Sequence, residues 1–265
     1  MLINSLKIIL IIIVSLFILL LIFMFAFRPL TSYLVRPSNL KKAAENGEFL
    51  LSQTNKNVFV VTAHPDDAEW YSGGTLARLA EKNNVFLVLG TSGEKGASGN
   101  NIGKIREEKQ KKAAKFIGYR KVFFLRNPDR GLKNDKKFKQ QINEMFLKTK
   151  PDIVFTFDPV KQGPIYHHPD HLAAGQAATA VVKYFEGANL YYFHSSSNNT
   201  VVEFSPVKQK KSDALQALFN YGRPGLVQTI LRILSFGRSR QFTSGMNESY
   251  PSVGIKDGEL FRKKT

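Results

Sequence analysis

From residue 57 onward, short apolar runs alternate with amphipathic stretches, and this alternation is the feature that most limits the fold. The apolar runs typical of buried strands are residues 57–63, 84–93, 121–125, 151–159 and 189–195. The stretches with helical spacing are residues 73–83, 102–118, 135–150 and 171–185. Strands that alternate with helices predict a Rossmann-like α/β fold, in which a parallel sheet is covered by helices on both faces.

An uncharged run precedes this region, from Ile8 to Phe27, and its 20 residues include a single polar side chain, Ser15. About 20 apolar residues in a helix span a bilayer core. A cleavable signal peptide has a shorter apolar region and a cleavage site built of small residues, which the exit of this run lacks. We therefore predict one transmembrane anchor over residues 1–28, a linker over residues 29–56 and a folded domain over residues 57–265.

The chain is strongly basic, with a formal net charge of +17. Lys7 precedes the apolar run, whereas Arg28, Arg36, Lys41 and Lys42 follow it. The positive-inside tendency therefore predicts a single-pass protein whose domain lies on the cytoplasmic face. The other basic residues are spread over several helical stretches without a recognised nucleic-acid motif. We expect them to face an acidic membrane surface, and we expect no nucleic-acid partner.

Polar residues follow the predicted strands at their carboxyl ends, where sites form in open parallel sheets. "AHPDD" follows the first strand and ends at Asp67, Asp129 follows the third strand, and "YHHPDH" follows the fourth strand at 166–171. The chain contains no Cys, which excludes disulfides and thiolate metal ligands. Any bound metal must therefore use His, Asp or Glu side chains.

The adjacent carboxylates Asp66 and Asp67 repel each other unless a cation or solvent offsets their charge. His64, Asp67 and His171 together supply two imidazoles and a carboxylate, the ligand set of an open catalytic zinc site. Asp66 would then lie free beside a metal-bound water and could accept its proton. For "HPDD" alone the alternative is a helix-capping turn. The second His-Pro-Asp motif, at 168–171, favours the metal site.

The stretches "AHPDDAEWYSGGTLARL" and "YHHPDH" resemble the PIG-L/LmbE-like family of zinc-dependent N-acetylglucosaminyl deacetylases, over residues 57–195. By that resemblance, His64, Asp67 and His171 would bind zinc, and Asp66 would be the general base. The resemblance implies a hydrolase that deacetylates an N-acetylglucosamine-containing glycoconjugate with metal-activated water. It also makes residues 57–265 a deacetylase domain.

The resemblance assigns further roles on the same rim. His168 would act as a general acid or stabilise the oxyanion, and Tyr166 would polarise the substrate carbonyl. Asp170 would orient a His side chain from outside the ligand set. Arg106 and Asp129 would contact the substrate.

The chain also departs from the family pattern. An acidic residue expected at Lys109 stands instead at Glu108, and "GRPG" follows "KSDALQALFNY" where Ser-Gln is expected. The basic amphipathic stretch 225–240 predicts either packing onto the sheet or contact with a membrane surface. Iron or another divalent ion could replace zinc. Two alternative functions stay open: a metal-dependent amidase that acts on a non-sugar amide, and an inactive, membrane-tethered glycan-binding protein.

Overall fold

The computed structural model describes residues 7–9, 11–19, 35–161, 168–219 and 246–264. Within these ranges the strands are β1 (Asn57–Thr62), β2 (Asn84–Thr91), β3 (Lys121–Asn127), β4 (Ile153–Phe157), β5 (Asn189–Phe193), β6 (Thr200–Glu203), β7 (Met246–Tyr250) and β8 (Ile255–Lys263). The helices of the folded domain are α1 (Leu40–Ser52), α2 (Asp67–Leu79), α3 (Ile102–Ile117), α4 (Lys136–Lys148), α5 (Pro169–Val182) and α6 (Lys208–Phe219).

The strands form one sheet in the order β3-β2-β1-β4-β5-β8-β6, and β7 pairs with β8. Strands β1 to β5 are parallel, as predicted. The prediction of a wholly parallel sheet is wrong, because β8 runs antiparallel to β5, β6 and β7 and makes the sheet mixed. The strand order changes direction between β1 and β4: strands β2 and β3 follow on one side of β1, and β4 and β5 lie on its other side. Ligand sites in such sheets form outside the carboxyl ends of the two strands at this switch point.

The central strands are apolar because both of their faces are covered. Every residue of β4 is buried, and so is every residue of β1 after its first. Phe59 of β1 stacks on Phe86 of β2 and meets the ring edge of Phe146 from α4. Burial of a Phe side chain contributes roughly 1.5–3 kcal/mol. These contacts hold the strand that leads into "HPDD" in a rigid position.

The close approach of α5 to β4 depends on Gly175. A Cβ at this position would lie 2.4 Å from the carbonyl oxygen of Phe157. Only a glycine lets the helix lie this near the strand without a steric clash. Because α5 begins at Pro169, this contact also sets the depth at which Asp170 and His171 lie in the crevice.

A buried ionic contact joins three elements on the side of the sheet that carries α2. Glu259 of β8 is fully buried. It accepts hydrogen bonds from the backbone N–H groups of Gly74 and Thr75, from Thr75 Oγ1 and from Lys211 Nζ of α6. This one carboxylate therefore connects β8, α2 and α6.

Residues 40–52 of the predicted linker form α1, which packs against β6. The side chain of Asn39 caps the helix by accepting the N–H of Lys42 at 3.0 Å. Val35 and Ala43 join Val201 of β6 in a small second core. This part of the predicted linker is therefore a packed helix.

The predicted anchor is described only in part. Residues 8–9 and 11–19 are helical, and their large apolar side chains are exposed. Residues 10 and 20–27 lie outside the described residues, as does the amphipathic stretch 225–240. Among the helices that the structure describes, none combines the length and the apolarity needed to cross a membrane.

Candidate metal centre and active site

The candidate site lies where β1 and β4 end. His64 follows β1, and α2 begins at Asp67. The sequence predicted this helix only from residue 73, so the helix begins six residues earlier than expected. Across the crevice, His168 is the N-cap of α5, and its Nδ1 accepts the N–H of Asp170 at 3.2 Å. The two His-Pro-Asp motifs thus face each other across the switch point of the sheet.

The three predicted metal ligands lie together. His64 Nδ1 lies 3.5 Å from one carboxylate oxygen of Asp67, and His171 Nε2 lies 3.2 Å from the other. Donor atoms 2.0–2.1 Å from a tetrahedral zinc ion lie about 3.3 Å apart. His171 Nδ1 is buried and has no hydrogen-bond partner among the described residues. The donor types suit a zinc ion, and each imidazole lies near a different carboxylate oxygen of Asp67.

Two further carboxylates face the other nitrogen of His64. Its Nε2 lies 3.1 Å from Asp170 Oδ2 and 3.3 Å from Asp129 Oδ1. Carboxylates in this position favour a proton on Nε2 and leave the Nδ1 lone pair directed toward Asp67. Asp170 therefore lies in hydrogen-bond contact with a histidine, which is His64, and its role in orienting that ring stays a prediction.

Among the described residues, two groups of side chains have metal-ligand spacing throughout, namely His64 with Asp129 and Asp170, and His64 with His168 and His171; the predicted set with Asp67 is not one of them. Backbone N–H groups bond to both carboxylates of the first group: those of Arg130 and Leu132 bond to Asp170, and that of Lys95 bonds to Asp129. Asp67 is bonded in the same way, since its Oδ2 accepts the N–H groups of Ala63 and His64. These hydrogen bonds do not distinguish the two carboxylates from Asp67, so the ligand set of His64, Asp67 and His171 stays a prediction. In the second group, His168 Nδ1 is engaged by the N–H of Asp170.

The charges of the site favour a cation. Burial lowers the pKa of His64, but the carboxylates of Asp129, Asp170 and Asp67 outweigh burial and raise this pKa to about 12. Burial raises the pKa of Asp67, whereas contacts with His171 and His64 bring it well below its usual range. Carboxylates thus surround His64, and a metal ion at its Nδ1 would offset their charge.

Asp66 differs from its neighbour. Its backbone is left-handed, with a φ of 102°, so the side chain turns away from the position of a helix cap. Its Oδ2 accepts a hydrogen bond from Arg106 Nη2 at 3.0 Å. Burial raises the pKa of Asp66 to about 7, against the opposing charge of Arg106 and with the help of Asp67. A carboxyl group with a pKa near neutrality suits a general base.

Arg106 forms hydrogen bonds with the turn that carries Asp66. Besides Asp66, its guanidinium donates to the carbonyl oxygens of Pro65 at 2.6 Å and Gly93 at 3.0 Å. Asp129 is buried and is occupied by His64 and Lys95. Both predicted substrate contacts therefore lie at the site, where they bond to protein groups. Their contact with substrate stays a prediction.

His168 lies close to the ligand set, with its ring centre 5.0 Å from that of His64 and 5.2 Å from that of His171. Burial, together with the charges of these two rings, lowers the pKa of His168. Since Nδ1 accepts an N–H, a neutral His168 carries its proton on Nε2 and can donate it. Tyr166 lies outside the described residues, and its role stays a prediction.

Two buried residues of the site were not singled out from the sequence. Gln110 Oε1 accepts the backbone N–H of Asp66 at 3.1 Å, and Gln110 Nε2 donates to Glu69 at 2.7 Å. Gln110 follows Arg106 by four positions, which places both on one face of α3. That spacing was available in the sequence and could have identified Gln110.

Comparison with known proteins agrees with this geometry. The PIG-L family, described as GlcNAc-PI de-N-acetylase, matches residues 59–182. The chain is 30% identical over 168 residues to 1D-myo-inositol 2-acetamido-2-deoxy-alpha-D-glucopyranoside deacetylase of Saccharomonospora viridis, and the alignment covers 52% of this chain and 62% of that protein. It is 32% identical over 140 residues to the uncharacterized deacetylase YaiS of Escherichia coli, covering 49% of this chain and 70% of that protein.

The chain therefore spans less than two thirds of the first of these relatives. The structure of N,N'-diacetylchitobiose deacetylase from Pyrococcus horikoshii shares the fold, with a TM-score of 0.67 and 22% identity. That superposition covers 83% of this chain and 90% of the other. The paired His-Pro-Asp motifs, the sheet order and these matches together show that the chain belongs to the PIG-L family.

Proposed function

We propose that the chain is a metal-dependent N-deacetylase that hydrolyses the acetamide group of an N-acetylglucosamine-containing conjugate. The observation that carries this proposal is the position of Asp66, a carboxylate with a pKa near neutrality directly beside the donor set of His64, Asp67 and His171. The relatives support the substrate class, since they include deacetylases named for acetamido-sugar substrates.

His64, Asp67 and His171 would hold the metal ion. A zinc ion held there supplies a water molecule of lowered pKa and a positive charge near the substrate carbonyl. Imidazole and carboxylate ligands also suit iron. Metal analysis of the purified protein therefore decides which ion is native.

The side chains of the protein move the protons. Arg106 holds Oδ2 of Asp66, so the other carboxylate oxygen would accept a proton from the attacking water. His168 would donate a hydrogen bond from Nε2 to the oxygen on which negative charge develops. When the C–N bond breaks, Asp66 or His168 would return a proton to the amine nitrogen. The products are acetate and a free amino sugar.

Replacement of Asp66 by Asn tests this proposal. We expect acetate release to fall about 100- to 10,000-fold, because a general base contributes that much. The metal content should stay the same, because Asp66 is not a ligand. The matched control is Asp213→Asn, an equal change at a partly exposed residue of α6.

The assay measures bound metal and acetate release by the full chain from a panel of N-acetylglucosamine conjugates and non-sugar amides. Unchanged turnover in the Asp66 variant would rule out its role as the base. Release from non-sugar amides alone would identify the alternative amidase. A wild-type protein that binds the glycans without releasing acetate would be the non-catalytic binding protein.

We also propose that the run from Ile8 to Phe27 anchors the protein as a single-pass membrane protein with its domain on the cytoplasmic face. The exposed apolar side chains of residues 8–9 and 11–19 support this, because water solvates them poorly. Alkaline extraction of membranes tests the anchor, and protease treatment of sealed cells tests the orientation. Release of the protein by alkali would refute the anchor. Digestion of the domain by protease added outside the cells would refute the cytoplasmic orientation.

A further inference from the structure

Two residues of α3, one helical turn apart, form hydrogen bonds with the turn that carries Asp66. Arg106 bonds to the side chain of Asp66 and to the carbonyl oxygen of Pro65. One helical turn later, Gln110 bonds to the backbone N–H of Asp66. The second contact acts on the main chain, which here has a φ of 102°. Residues other than Gly adopt such a conformation only when surrounding contacts impose it.

The amide of Gln110 has one orientation that satisfies both neighbours. The N–H of Asp66 can only donate, so it requires the oxygen of the amide. The Glu69 carboxylate accepts, and it takes the amide NH₂ group at 2.7 Å. Gln110 and Glu69 are both fully buried, so water does not compete for these bonds. Glu69 therefore determines which end of the Gln110 side chain faces Asp66.

We propose that Gln110, oriented by Glu69, is a positioning residue that holds Asp66 in its left-handed backbone conformation. This keeps the carboxylate directed at the reacting water. The inference rests on the proposed function, because it assigns Gln110 a role through the general base. It requires no contact between Gln110 and either substrate or metal. Loss of the bond would leave the peptide unit before Asp66 held only at the Pro65 carbonyl oxygen, by Arg106. The unit could then tilt about that contact, and the carboxylate would leave its productive position.

Replacement of Gln110 by Leu removes both bonds at similar volume. We expect kcat to fall about 10- to 100-fold, because a displacement of about 1 Å in a reacting group can cost that much. KM and bound metal should stay at their wild-type values. The control is Gln141→Leu, the same change in α4, where Gln141 bonds to Asn127 and Leu125 away from the β1–α2 turn. It should leave kcat unchanged.

A charge-conserving exchange provides the second test. In the double variant Glu69→Gln with Gln110→Glu, the carboxylate at 110 can still accept the N–H of Asp66 and the amide at 69 can donate to it. We expect this variant to recover most of the kcat that Gln110→Glu alone loses. Hydrogen exchange of the Asp66 amide gives a readout independent of turnover, and it should be faster in Gln110→Leu and slow again in the double variant.

The outcomes separate this inference from the proposed function. Wild-type protein that releases no acetate contradicts the proposed function, and amide exchange then still tests the positioning role. Unchanged exchange and kcat in Gln110→Leu would overturn the inference. So would loss of metal together with kcat, because the whole site would then have collapsed. If Gln110→Leu does not fold, a double variant no better than Gln110→Glu alone overturns it.

Discussion

The buried pair of Lys211 and Glu259 offers the sharpest test of how the domain is held together. Lys211 Nζ lies 2.5 Å from Glu259 Oε1, and the lysine and glutamate side chains are 10% and 0% exposed. We consider Lys211→Met, which keeps the unbranched part of the side chain up to Cε and can preserve packing on the ring of Phe204. The change leaves the Glu259 carboxylate buried without its cationic partner.

The burial of the pair and the remaining hydrogen bonds of Glu259 determine how much the free energy of unfolding falls. Removal of one member of a buried ion pair costs about 3–5 kcal/mol. Glu259 would retain three donors, from the N–H of Gly74 and from the N–H and hydroxyl of Thr75. We therefore expect the lower end of that range, a loss of about 3 kcal/mol in the free energy of unfolding. In a domain of this size that corresponds to a fall of about 6–12 °C in Tm.

The assay is thermal unfolding of the full chain in detergent, followed by circular dichroism. The matched control is Lys210→Met on the same helix, because Lys210 pairs with Glu81 at 3.1 Å while both side chains are nearly half exposed. Water screens that pair, so its loss should cost about 0–1 kcal/mol. If Lys211→Met lowers Tm no more than Lys210→Met, the argument from burial is wrong.

Three further substitutions test the site itself. Gly175→Ala would place a Cβ against the backbone of β4 and displace α5, so we expect metal affinity, measured by titration, to fall at least about tenfold. Arg106→Gln removes the charge that lowers the pKa of Asp66, so the pH below which kcat/KM declines should move upward in a pH–rate profile. Asp129→Asn removes a carboxylate that faces His64, and competition with a chelator should show metal binding weakened about 10- to 100-fold.

Local sequence patterns predicted the parallel part of the fold well, because burial on both faces of a strand leaves a continuous apolar run. The run 151–159 contains β4 and the run 57–63 contains β1. The start of α2 was predicted at residue 73, six residues too late. In the structure Asp67 lies in the first helical turn, where the helix dipole favours a carboxylate.

The position of the site followed from the sequence as well. The alternation of strands and helices and the rule for carboxyl ends placed both His-Pro-Asp motifs on one rim. In the structure Asp67 lies 3.5 Å from His64 and 3.2 Å from His171. From the sequence, the residue that Asp170 contacts could be predicted only to be a histidine, without its number. The structure identifies it as His64, 106 positions away.

The sequence by itself thus determined the alternating core, the rim and the residue types that can bind a metal, because each of these depends on local periodicity and chemistry. Only the tertiary structure decided which distant groups meet. It added β8 antiparallel to β5, buried Glu259 against Lys211, and brought Gln110 to the backbone of Asp66. The physical reason is that a local pattern records how much of a segment is buried, whereas contacts between distant segments depend on how the whole chain packs.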